Sequence, residues 1–180
     1  MAKGFSITAT NRTRADILAR LEPYWKMEAG NAVLVPVLVA YFSGGQLSWI
    51  SLVPLTATVL MLVIGTLYWR AKVRQLKGQP QNWAALQRAL RWAQLPMQGL
   101  TLAGCGTALA GWVGSDLALG TPDRVAATVC AALAALEYVN YYHRQLQHFD
   151  NAADFRRMLT GQGFRASWMA RDLAAVRKAR

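Results

Sequence analysis

Four long apolar stretches set the pattern of this chain. They run from about Met27 to Gly45, Leu47 to Trp69, Trp92 to Gly114 and Val125 to Tyr142. A helix crossing about 30 Å of hydrocarbon needs roughly 20 apolar residues, and each stretch comes close to that length. The second holds no charge between its ends, whereas a helix of a soluble bundle needs charged residues on its outer face. Lipid offers no partner to a free peptide group, so crossing segments are helical. The pattern therefore predicts an all-α integral membrane protein with four transmembrane helices and flanking amphipathic cytoplasmic helices. Residues 1–25 read as a cytoplasmic amphipathic segment, 26–143 as the membrane domain and 144–180 as a basic cytoplasmic tail.

In the amino-terminal flank, Ile17, Leu18 and Leu21 recur at helical spacing among Arg14, Asp16, Arg20 and Glu22. In the tail, Trp168, Met169, Leu173 and Val176 recur among Arg171, Asp172, Arg177 and Lys178, with Ser167 placed to cap that helix. Basic amphipathic helices beside a bilayer lie on its anionic surface. Arg14, Arg20, Trp168, Arg171, Arg177 and Lys178 are the expected lipid-surface contacts.

Charge then orients the spans. Of 180 residues, 54% are hydrophobic and 16% charged, yet the net charge is +11. Nineteen of the 20 lysines and arginines precede the first span, lie between the second and third, or follow the fourth; Arg124 is the exception. The positive-inside rule puts those segments, and both termini, in the cytoplasm. Trp25, Trp69 and Trp92 fall at inner ends and Trp49 and Trp112 near outer ends, as a headgroup-level aromatic belt requires. The first 25 residues lack the cleavage pattern of a signal peptide, so the first span reads as an uncleaved anchor. Positive-inside bias accounts for the basic charge, and no nucleic-acid motif is present, so no nucleic-acid partner is expected.

Small residues recur on the third span (Ala103, Thr107, Gly111) and on the fourth (Ala127, Ala131, Ala135), which lets helix backbones approach closely. These two helices are expected to form the tightest pair, or else to offer the same faces to a protein partner or a second copy. Polar residues interrupt the inner ends. Glu137, Asn140, Tyr141 and Arg144 share one helical stripe, and Glu137 lies about 10 Å along the helix from Arg144. Glu28 and Asn31 match them on the first span, with Arg88 and Arg91 as the nearest counter-charges. An intramembrane carboxyl must be protonated, paired or facing water. The cluster reads as interhelical glue, a headgroup site, an ion or proton site, or a redox or metal site. Neither His143 nor His148, Cys105 nor Cys130 has metal-ligand spacing, so no metal, cofactor or catalytic residue is expected.

The run Glu137-Tyr-Val-Asn-Tyr-Tyr-His-Arg-Gln-Leu146, with Asp150-Asn151 and Arg171-Asp172-Leu173 beyond it, resembles the tail of small bacterial polytopic membrane proteins of uncharacterised function. The resemblance covers the last quarter of the chain. It implies a bacterial cytoplasmic membrane and carries no activity over. The leading expectation is a non-enzymatic inner-membrane scaffold, assembly factor or small subunit whose basic face binds anionic lipid or an acidic partner. A small transporter using the Glu137–Asn140 cluster is the alternative, and a membrane enzyme at the cytoplasmic end of the fourth helix a third.

Overall fold

The computed structural model describes residues 7–114, 116–146, 160 and 163–178. Five helices account for most of them: α1 (Ile7–Phe42), α2 (Trp49–Leu76), α3 (Trp83–Val113), α4 (Thr121–Tyr142) and α5 (Trp168–Lys178). Among the described residues there is no strand, only an isolated bridge between Arg144 and Ala166. The all-α class expected from the pattern is the class observed. Contacts between opposite ends of successive helices make α1 to α4 an up-down bundle: Tyr24 meets Trp69, Tyr68 meets Trp83, and the Trp112 indole donates to Thr128 Oγ1 at 2.9 Å.

From residue 7 onward α1 runs unbroken through the amino-terminal flank into the first apolar stretch. Among the described residues two helices, α2 and α4, are long and apolar enough to cross a membrane. The other two fall short of the four crossings expected. Lys26, Glu28 and Asn31 dilute the apolar half of α1, and glycines, threonines and Gln98 dilute α3.

α2 is the centre of the bundle and packs along α1, α3 and α4. The expected tightest pair, α3 with α4, makes a smaller contact than α2 makes with either α1 or α4. The cause is Pro54. It has no N–H to give Ile50 O four residues back, and the Thr107 hydroxyl of α3 donates there at 3.1 Å. Gly104 lets α3 close on the same notch, since a Cβ there would stand 3.0 Å from Pro54 Cα. On α4, the Cys130 carbonyl accepts from Thr58 of α2 at 2.8 Å, and Ala127 and Ala131 bury against Ile50 and Ala108. The small-residue faces of α3 and α4 are thus occupied largely by α2.

The tail returns to the bundle. Ser167 caps α5 as its sequence position predicts, its Oγ accepting from Ala170 N at 3.1 Å, and its hydroxyl donates to Tyr141 O. Met169 is buried among Tyr68, Leu90, Tyr138, Tyr141 and Tyr142, with Leu173 against the same cluster. Asp172 accepts from the Tyr68 hydroxyl and from Lys72 Nζ, both at 2.7 Å. The apolar face of α5 is therefore turned into the protein, while Trp168 and Arg171 stay exposed with the guanidinium 4.7 Å from the indole centroid. The side chains of Arg177 and Lys178, and Asp150-Asn151, lie outside the described residues. Asp172→Ala leaves the Tyr68 hydroxyl and Lys72 without their acceptor and is expected to cost about 1–3 kcal/mol. Limited proteolysis should then cut the chain after residue 143 faster than in the parent protein.

Large apolar side chains face outward on all four long helices. Val33, Val37 and Tyr41 do so on α1, Leu60, Val63 and Leu67 on α2, Leu95, Leu102 and Leu109 on α3, and Val125, Val129 and Leu136 on α4. Leu95 and Leu109 are 75% and 69% exposed, as polar surface residues of a soluble bundle would be.

Candidate functional site

The polar residues of α1 and α4 meet across α2. Glu28, though charged by type, is 2% exposed. Tyr24 and Tyr141 flank its carboxyl, and Glu137 lies close enough to interact with it electrostatically. Gly65 of α2 makes the meeting possible. Any Cβ there would overlap the Tyr141 hydroxyl, so the missing side chain is the gap through which α4 reaches Glu28. α1 and α4 touch through these side chains, with α2 between their backbones. Glu28 Oε2, the Tyr141 hydroxyl and the Trp69 indole N–H are buried with no hydrogen-bond partner among the described residues. Tyr141, Trp69, Tyr24 and Asn140 border a cavity of about 20 Å³, room for one water molecule.

Asn140 works mainly as a structural brace. Its Oδ1 accepts from Leu146 N at 2.9 Å and holds the turn that follows α4, while its Nδ2 stands 3.5 Å from Glu137 Oε2. Arg144 does not extend the stripe. α4 stops at Tyr142, and the Arg144 guanidinium donates to Phe164 O at 3.0 Å on the returning tail. Arg88 and Arg91 are exposed on α3 and pair with neither glutamate. Asn31 is half-buried on α1 and makes no hydrogen bond among the described residues. Of the expected cluster, then, Glu28, Glu137, Asn140 and Tyr141 come together, and the counter-charges do not.

Arg14 reaches back from α1 to cap the end of α2, its guanidinium donating to Leu76 O, while Arg20 is exposed. Among the described residues no three His, Cys, Asp or Glu side chains come together as a metal site would need.

Two polar features were not singled out from the sequence. One is Asp172, described above. The other is Asp123 at the start of α4, fully buried. It accepts from Ser48 N at 3.1 Å, Ser48 Oγ at 2.6 Å and Leu119 N at 3.0 Å. It ties the α1–α2 connection to the α3–α4 connection. An acid in the first turn of a helix, three residues after a glycine, was the available signal.

The chain matches no protein-family model, no curated protein and no solved structure.

Proposed function

We propose that this chain is a four-crossing protein of a bacterial cytoplasmic membrane, both termini inside, that acts as a non-enzymatic scaffold or small subunit through its basic cytoplasmic face. The outward apolar stripe on every long helix is the observation that carries the membrane half of this reading. Soluble monomers rarely expose contiguous apolar patches beyond a few hundred Å², and here the stripes follow helical spacing on α1 and α3 as well as on α2 and α4. Nineteen of 20 basic residues precede the first apolar stretch, lie between the second and third or follow the fourth, which supports the orientation. The resemblance of the last span supports a bacterial membrane.

The scaffold half rests on the interior. The cavity beside Tyr141 and Asn140 has room for about one water, and Tyr24, Tyr68, Trp69 and Trp168 line it. A second reading, ion or proton handling, has in its favour the buried, unpartnered Glu28 Oε2 and Tyr141 hydroxyl. One experiment separates them. In proteoliposomes the parent protein is expected to give no proton or cation flux above empty vesicles, and Glu137→Gln is expected to stay assembled with stability within about 1 kcal/mol. Flux that the parent shows and Glu137→Gln loses would replace the scaffold reading with the transport one.

A further inference from the structure

The middle of α1 and the last turns of α2 form a second feature, a groove of about 240 Å³ lined mainly by charged side chains. Glu22, Trp25 and Lys26 of α1 face Arg70, Arg74 and Lys77 around it. Four cations thus surround one carboxylate. Glu22 is bound to Lys77. The hydrogen bond and charge of Lys77 hold the Glu22 carboxyl below its ordinary range, so that one negative charge is taken up by its own neighbour. Lys26, Arg70 and Arg74 form no ion pair among the described residues. Arg70 and Lys26 instead stand 5.8 Å and 5.9 Å from the Trp25 ring centroid, which gathers both cations around one indole.

The outward residues that lead up to the groove bear on its ligand. On α2 the outward residues Leu60, Val63 and Leu67 continue at the same three- and four-residue spacing into Arg70 and Arg74. On α1 the corresponding stripe runs from Val37 and Val33 through Gly30 to Lys26. Each stripe is apolar for several turns and ends in cations beside a tryptophan. Acyl chain, glycerol and phosphate follow one another in that order along a phospholipid. Guanidinium forks match phosphate oxygens, and basic pockets between membrane helices take anionic headgroups.

We propose that the α1–α2 groove is a binding site for the headgroup phosphate of an anionic glycerophospholipid, with Arg70 and Arg74 as its main ligands and its acyl chains along Leu60, Val63 and Leu67. The proposal rests on the membrane reading above. The test uses the full chain in phosphatidylcholine nanodiscs and in detergent, with lipid binding followed by native mass spectrometry. Phosphatidylglycerol is expected to bind at least about tenfold more tightly than phosphatidylcholine. The double variant Arg70→Gln/Arg74→Gln should lose that preference, and Arg88→Gln/Arg91→Gln, which removes as much exposed charge outside the groove, should keep it. Inorganic phosphate at matched concentration should not displace the lipid.

Equal losses in both double variants, or no preference for phosphatidylglycerol, would overturn the site. Displacement by inorganic phosphate would reassign it to a free anion. If the parent protein enters phosphatidylcholine nanodiscs and shows no preference, only this proposal fails. If it stays dissolved without detergent and enters none, the membrane reading fails with it.

Discussion

Alanine at Gly65 is expected to lower the stability of the bundle by about 3 kcal/mol, at the upper end of what overpacking costs. The new methyl group would occupy the position of the Tyr141 hydroxyl and the adjoining ring carbon. A flexible side chain could swing away at little cost, but this ring is 2% exposed and shares its cluster with Tyr68, Tyr138 and Met169. Either Tyr141 is driven from its place beside Glu28 or α2 moves away from α4. Gly106→Ala is the matched control, because a Cβ there meets nothing within 4 Å. It should change stability by less than about 1 kcal/mol, in the direction helix propensity favours. Denaturation of the two variants in the same detergent compares them directly. Gly65→Ala combined with Tyr141→Ala should cost less than the sum of the single changes, since the second removes the atoms that the first collides with.

The second large effect is expected at the opposite end. Asp123→Ala removes the acceptor of three hydrogen bonds from Ser48 and Leu119 in a site closed to solvent. Buried donors left without an acceptor make this a loss of about 3 kcal/mol. Asp123→Asn should cost less. It keeps one oxygen as an acceptor, and its amide donor takes the place either of Oδ1, facing the Ser48 N–H, or of Oδ2, facing both the Ser48 hydroxyl, which can rotate to accept, and the Leu119 N–H, which cannot. Thermal unfolding of the three proteins should therefore rank parent, Asn and Ala in descending order. Because Asp123 joins both connections at that end, loosening should show as faster proteolysis at both the 43–48 and 114–120 segments in the Ala variant.

Much of the architecture could be read from residue order, and the limits of that reading have physical causes. Hydropathy marks where side chains are apolar, not where helices end. It therefore found the core of each of the four long helices and missed that α2 continues to Leu76 and that α1 begins by Ile7. Ser167 was legible as a cap because capping is local. The packing partner of the small residues was not. Gly104, Thr107 and Ala131 suit any close neighbour, and only the proline notch at Pro54 decides for α2. In the candidate site, Glu28, Glu137, Asn140 and Tyr141 stood out as polar residues in apolar surroundings. Gly65 could not, because its importance depends on a tyrosine 76 positions away that reaches across it. Arg144 was misplaced for a related reason. Helical spacing carries the stripe past Tyr142, but α4 ends there and Asn140 holds the turn that follows.

Labelling from the two sides of the cell membrane tests the crossing of all four helices most directly. In a background carrying Cys105→Ala and Cys130→Ala, single cysteines at Gln46, Leu119 and Gln79 report on three exposed connections. A thiol reagent that cannot cross the membrane is expected to label positions 46 and 119 on intact cells, and position 79 only after permeabilisation. Labelling of position 79 from outside, or of all three only after the cells are opened, would contradict a bundle that crosses the bilayer four times with its cations inside.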